Sequence, residues 1–316
     1  MDGGVFPETL LLTSKGYEPI GSLQDQEVSI WNGYDFEQTI VRKVASDTPL
    51  LHLKTKNTLE LLCSEDFSFW WGKSTAPETV LVKDLEPGMR TLPIPNCPII
   101  EGGSEEFPLS YSHGYYSGSE RYWRDRLKVS RASIRGVRHG VLPYLELDLE
   151  KTTTTSLFYP SQLPPNFEVP LDPKYSVDTK LDWLAGLFDA GLMKRKIAPL
   201  KIWLLHSDSV DFLYRVKLLL QTLGIDSRHV PNKDHRFQHY TLMITHKAIE
   251  VLIDLGIPAL IRDLRREPRH KNSHTKKINS PEVLSVEDAY RTSDIYNFES
   301  TTKQSAILNG LYTKSN

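Results

Sequence analysis

Between residues 184 and 190 the chain reads Leu184-Ala185-Gly186-Leu187-Phe188-Asp189-Ala190, an apolar run with Gly186 and Ala190 four residues apart. Four residues is a little over one helical turn, so both small residues fall on one face. Gly or Ala at that spacing lets two helix backbones approach closely, a rule drawn from membrane helices whose geometric content holds for any tightly crossed pair. An earlier stretch, Ser112-His113-Gly114-Tyr115-Tyr116-Ser117-Gly118-Ser119, repeats the spacing with Gly114 and Gly118. The spacing fits a pair of helices crossing through Gly114, Gly118, Gly186 and Ala190, and also two unrelated glycine-containing helices.

The second stretch is followed by a regular series. Residues 201–205 read as a strand, 210–223 as an amphipathic helix ended by Gly224, 240–244 as a strand, and 248–255 as a helix stopped by Gly256 and Pro258. In the first of these helices Phe212, Leu213, Val216, Leu219, Leu220 and Leu223 recur at helical spacing and form a core stripe. After the first stretch, residues 127–134 and 140–147 supply matching strands and a helix start. With 316 residues the chain is long enough for two or three domains.

The N-terminal part reads as all-β. Short strands are expected at 8–13, 27–31, 50–54, 59–62 and 79–82, with Lys15-Gly16 as a turn. Asn32-Gly33 predicts a two-residue type I′ hairpin whose return strand starts at Tyr34-Asp35-Phe36.

Composition excludes several classes. No run of eighteen apolar residues and no charged-then-apolar leader is present, so a soluble, cytoplasmic protein without membrane contact is expected. Cys63 and Cys97 are too few for a disulfide framework or a paired-cysteine zinc site, so any metal would use carboxylates. Net charge is −2, but by segment it is −6 for residues 1–100, +6 for 101–280 and −2 for 281–316. The basic excess includes Arg121, Arg124, Arg126, Lys128, Arg131, Arg135 and Arg138, interleaved with Tyr122 and Trp123. That pattern fits a basic strand face able to meet phosphates, and equally a solvated sheet edge guarded by positive charge. Residues 262–277 read as a linker.

Thr9-Leu10-Leu11-Leu12-Thr13-Ser14-Lys15-Gly16-Tyr17, with Ile20 and Leu23, resembles the opening block of an intein. Leu61-Leu62-Cys63-Ser64-Glu65-Asp66-Phe67 resembles the second block, and Val80-Leu81-Val82-Lys83-Asp84-Leu85-Glu86-Pro87-Gly88 a later strand and turn. Asp294-Ile295-Tyr296-Asn297-Phe298 and the closing Asn309-Gly310-Leu311-Tyr312-Thr313-Lys314-Ser315-Asn316 complete the pattern, while the 184–190 run is nearly a literal LAGLIDADG helix. The whole chain resembles inteins of ribonucleotide reductase large subunits. The resemblance implies an α+β fold: an all-β Hint (hedgehog/intein) domain from the N- and C-terminal segments, interrupted by a two-repeat LAGLIDADG α/β domain. The expected boundaries are 1–100 for the first Hint part and 101–172 for a diverged first repeat with its linker. Residues 173–270 form the second repeat, and 271–316 a linker with the closing Hint part.

The same resemblance implies where the chemistry should sit. Homing endonucleases of this kind present one carboxylate at the end of each helix to hold divalent metals; those positions are Ser119 and Gly191. Asp189 is rotated about 200° from the acid position and reads as a cap or sheet contact, and Glu120 is an equally poor substitute. Splicing needs a first-residue nucleophile, a second-block histidine and a terminal asparagine. Here the nucleophile position is Gly4 and the histidine position Phe67, with its partner hydroxyl at Ser64. The later acid, helper histidine and penultimate histidine fall on Asn297, Gln304 and Ser315, and Asn316 alone keeps its expected identity.

The expectation is a catalytically inactive, intein-derived scaffold with its own Met1, reused to bind another macromolecule, with no metal and no cofactor. A protein partner would meet loops and aromatic groups such as Trp70, Trp71, Tyr115, Tyr116 and Trp123. The alternative is a LAGLIDADG endonuclease that clasps long duplex DNA and uses Mg²⁺. A third reading is residual cleavage at Asn316 in a longer precursor. His206, His235, His239 and His246 lack ligand spacing, and Ser112-His113 has no third group to make a nucleophilic pair. The resemblance implies a microbial or phage-infected cytoplasm.

Overall fold

The computed structural model describes residues 3–118, 122–123, 126–130, 148–151, 155–159, 167–197, 200–207, 209–230, 240–258, 264, 280–299 and 302–314. Two sheets are built jointly by the two ends of the chain. The first has strand order β2-β1-β17-β18-β6-β7, from Tyr17–Pro19, Leu10–Leu12, Ser305–Leu308, Leu311–Lys314, Ser68–Lys73 and Ala76–Leu81. The second has order β16-β4-β3, from Val283–Phe298, Phe36–Thr55 and Glu27–Trp31, with β5 (Glu60–Cys63) added to β4. Leu11 pairs with Leu308 and Phe298 with Val41, so neither sheet is complete without both ends.

The strand expected at 27–31 is present with those bounds, but the Asn32-Gly33 turn differs from expectation. Trp31 pairs with Phe36, leaving a four-residue loop. Asn32 Oδ1 accepts the amides of Tyr34 and Asp35, each at 2.9 Å, and this side-chain turn competes with the two-residue form. Only Gly33 has positive φ there, whereas type I′ requires it twice. The requirement is met at Asn309 (φ 48°) and Gly310 (φ 74°), which join β17 to β18 with Leu308 opposite Leu311. The expected strand at 50–54 is the end of the single twenty-residue strand β4.

The insert holds two helices in contact, α1 (Ser110–Gly118) and α2 (Val177–Gly191). Each precedes a four-stranded antiparallel sheet. After α1 come β8 (Tyr122–Trp123), β9 (Arg126–Ser130), β10 (Asp148–Lys151) and β11 (Thr155–Tyr159), in order β8-β9-β11-β10. After α2 come β12 (Leu192–Ile197), β13 (Leu200–Ser207), β14 (Arg228–Val230) and β15 (Tyr240–Thr245), in order β12-β13-β15-β14. The sheets share one order, first-second-fourth-third, as an internal repeat requires. Between β13 and β14 lies α3 (Val210–Gln221), capped by Ser209 Oγ accepting the Phe212 amide at 3.1 Å. After β15, Thr245 likewise caps α4 (His246–Asp254). The insert core gathers Trp183, Leu187, Phe188, Phe212, Val216 and Leu219. A separate cluster joins insert to β domain, with Leu218 of α3 packed among Leu12, Tyr17, Trp31, Ile307 and Tyr312. Full burial of such a side chain contributes about 1.5–3 kcal/mol. Among the described residues no helix is long and apolar enough to cross a membrane.

Candidate functional site

The N-terminal residues enter the β domain as an inserted strand. Val5 bridges both Tyr296 of β16 and Cys63 of β5, and its amide donates to the Tyr296 carbonyl at 2.8 Å. This seats the Gly3–Gly4 peptide between two polar side chains. The Gly4 amide donates to Ser64 Oγ at 2.9 Å, and the Asn297 side-chain amide donates to the Gly3 carbonyl at 2.7 Å. Asn297 Oδ1 accepts the Phe298 amide at 2.9 Å, which fixes the orientation of the donor. The peptide is therefore held and its carbonyl polarised by a neutral donor.

Gly4 itself brings no side chain to that clamp. A Cβ built on Gly4 would stand 3.0 Å from the Tyr296 carbonyl and 3.1 Å from Ile295 Cβ, so a side chain there would need its neighbours to give by a few tenths of an ångström. A Cβ on Gly3 would collide with the Asp66–Phe67 peptide. Phe67 is buried in the core of the β domain, its ring edge-on to Phe69 at 5.6 Å. The structure thus gathers Gly4, Ser64, Phe67 and Asn297 into one place. Gln304 stands in the left-handed region (φ 48°) just before β17. Ser315 and Asn316 lie outside the described residues, past the end of β18 at Lys314, which pairs with Ser68.

The two helices meet backbone to backbone at their glycines. A Cβ on Gly114 would collide with the Trp183 carbonyl, and one on Gly186 would reach within 2.7 Å of the Tyr115 amide. One on Gly118 would come within 2.5 Å of the Leu187 carbonyl and 3.1 Å of Ala190 Cβ. The crossing also uses Gly191, which the spacing argument missed because it stands one residue beyond Ala190. A Cβ there would collide with the Gly118 carbonyl oxygen and lie 3.3 Å from Gly118 Cα. Ser119 and Glu120 lie outside the described residues.

Asp189, expected as a cap or sheet contact, is buried and accepts the Tyr111 hydroxyl of α1 at 2.8 Å. Burial, and then the Asp189 charge, push the Tyr111 phenol far above its usual range. His113 is also buried, and its Nδ1 accepts the Trp183 indole N–H at 2.9 Å. Tyr115 and Tyr116, expected as exposed contact groups, are buried in the insert core because α1 is enclosed by α2 and the chain around it. Trp70 is half-buried, its indole donating to Ser305 Oγ at 2.8 Å.

Of the basic stretch, Tyr122 and Trp123 form β8, and Arg126 and Lys128 lie two apart in β9. Arg124, Arg131, Arg135 and Arg138 lie outside the described residues, as do His235 and His239. His206 pairs with Thr241 Oγ1 at 2.8 Å. A histidine passed over in the sequence, His229, is buried with its Nδ1 2.6 Å from Thr58 Oγ1 across the junction to the β domain. Burial, then the Lys217 charge, push it down to about 4. Lys217 Nζ in turn pairs with Asp226 and donates to the Ser227 carbonyl, and Gln221 accepts the Tyr17 hydroxyl at 2.6 Å.

A β domain closed by both chain ends and interrupted by a two-repeat helix-and-sheet insert is the arrangement that the resemblance to inteins implies, a Hint-like fold with a LAGLIDADG-like insert. The chain is similar to the ribonucleoside-diphosphate reductase large subunit of Invertebrate iridescent virus 6, 26% identical over 348 residues that take in 98% of this chain and 35% of that protein. It therefore spans about a third of the length of the curated relative it matches. Among solved structures it is similar to the gp41-1 intein, 16% identical over 31% of this chain and 70% of that one, TM-score 0.24. It is also similar to a DnaB intein from Synechocystis sp. PCC 6803, 14% identical over 30% and 69%, TM-score 0.25. A variant of the homing endonuclease I-DmoI, solved with its target DNA and manganese, aligns at 13% identity over 49% and 96%, TM-score 0.34. No protein-family model matches the chain.

Proposed function

We propose that this chain is an intein-derived scaffold that neither splices nor cuts, and that it serves by binding another macromolecule, a protein partner first. The observation that supports the reading is that the glycines at two of the family positions, Gly4 and Gly191, are packed closely against their neighbours. Gly191, at an endonuclease acid position, presses on Gly118, and Gly4, at the nucleophile position, is covered by Ile295. Deletion of a catalytic side chain alone leaves a cavity, whereas these positions have neighbours inside contact distance. The remaining family positions, Ser64, Phe67 and Asn297, then act as structural residues that seal the N-terminal strand.

A second reading is duplex binding by the insert sheets. It draws on the +6 charge of residues 101–280 and on the DNA held by the I-DmoI variant. A gel-shift and nicking assay on a pooled long-duplex library, with Mg²⁺ or Mn²⁺ across a salt series, separates the readings. Metal-dependent nicking overturns the inert scaffold. Lack of any duplex retardation at low salt removes the second reading, and capture of protein from the native host after nuclease treatment is the result expected of the first.

A further inference from the structure

The turn joining β4 to β5 is closed by the Thr58 amide on the Thr55 carbonyl and the Thr55 amide on the Leu59 carbonyl, each at 3.0 Å. Within it Thr58 holds a φ of 60°, a left-handed conformation that a β-branched residue rarely adopts. The Thr58 hydroxyl lies 2.6 Å from the Asn57 carbonyl and, across the junction to the insert, 2.6 Å from His229 Nδ1. With the hydroxyl proton on the Asn57 carbonyl, the ring donates from Nδ1, and Nε2 is the nitrogen left to take up a proton. A strained turn of the β domain is thus held by one histidine of β14.

The surroundings of His229 suit the neutral ring. It is 2% exposed, and Nε2 has no hydrogen-bond partner among the described residues. From α3 it faces the Leu213 carbonyl and the Lys217 ammonium, which is paired with Asp226; from β15 it stands opposite Leu242, and from the β domain it meets the uncharged Thr58. Lys56, on the same turn, is engaged with Glu282. Burial first and Lys217 second hold the imidazole neutral, with the Leu213 carbonyl opposing them. A cavity in this seam, lined by Asn57, Lys217 and Ser227, is about 10 Å³, room for one water and not for a counter-anion. A proton on Nε2 therefore meets no uncommitted anion unless the seam opens.

We propose that His229 is an acid-sensitive latch between insert and β domain: the neutral ring docks β14 on the Thr58 turn, and the protonated ring releases it, with the apolar contact of Leu218 as the pivot. Histidine is the side chain whose charge ordinarily changes between pH 5 and 8, and the strained turn supplies the second arrangement that such a switch needs. The inference rests on the fold and not on the scaffold reading above.

Hydrogen exchange of the full chain, followed from about pH 7.5 to about 5 and corrected for the intrinsic exchange rate, tests it. Peptides covering 55–59 and 226–230 are expected to lose protection as pH falls below about 6.5, by up to about tenfold per pH unit for one proton. Peptides of the β-domain core at 306–312 and of the insert core at 183–188 are expected to keep theirs. His229→Gln, a neutral side chain able to pair with Thr58, is expected to abolish the dependence. Should that variant fail to fold, NMR titration of the His229 ring in the unaltered chain decides, with ring protonation expected to coincide with loss of protection in the seam. Seam protection that ignores pH, an equal dependence in His229→Gln, ring protonation without loss of protection, or loss in the seam and both cores together overturns the proposal.

Discussion

Gly191 Cα packs on the backbone of Gly118, so closely that a Cβ at 191 would collide with the Gly118 carbonyl oxygen. Under the proposed reading, Gly191 stands where a LAGLIDADG endonuclease would carry an acid. Gly191→Ala should therefore force α1 and α2 apart and cost about 1–3 kcal/mol, as overpacking of a close contact does. Urea unfolding of the full chain measures it, and an unchanged midpoint would show that the crossing has slack.

At the other centre, Gly4→Cys should produce no thiol-induced cleavage between Gly3 and residue 4 and should lower stability by about 1–3 kcal/mol. Ile295→Ala opens the covering side chain. Residues in contact couple by about 0.5–3 kcal/mol, so the double variant should be more stable than the two single losses added together. Mass spectrometry after thiol treatment and a double-mutant cycle in urea check the two halves; cleaved product, or strict additivity, would speak against Ile295 as the covering group.

Asn297→Ala strands the Gly3 carbonyl and the Phe298 amide, both buried, and Ser64→Ala strands the Gly4 amide. An unsatisfied buried group costs about 1–3 kcal/mol. Because both side chains hold one peptide, the double loss should fall short of the sum, as thermal unfolding of the three variants would show. A Tm unaffected by Asn297→Ala would mean the N-terminal strand is not held by this clamp.

His229 makes stability depend on pH. Its folded pKa, pushed down to about 4, lies below the ordinary 6.5, so the unfolded chain binds a proton that the folded chain refuses between those values. The contribution is therefore complete above about pH 6.5 and fades as pH falls toward 4, by at most about 3 kcal/mol for one group. His229→Gln should flatten that part of the stability curve. An equal slope in the variant would place the proton uptake elsewhere.

The residues that announced the fold are those whose local physics is sufficient. Asn309-Gly310 turns as a type I′ hairpin because both residues take positive φ, and the small residues at 114, 118, 186 and 190 meet because a helix repeats every 3.6 residues. Asn32-Gly33 carries the same letters but bends differently, since the Asn32 side chain captures two amides. β6 (Ser68–Lys73) gave no alternation to read, because Phe69, Trp70 and Trp71 are consecutive aromatics. The candidate sites were legible as positions, not as packing. That Ile295 covers Gly4, that Gly191 joins the helix crossing, and that His229 meets Thr58 are contacts between residues distant in sequence, which no local pattern encodes.

The claim that the helix-pair centre is closed is tested most directly by anomalous diffraction from manganese-soaked crystals of the full chain. The expected result is no manganese peak between the C-terminal ends of α1 and α2. A manganese ion seated there on a carboxylate ligand would contradict it.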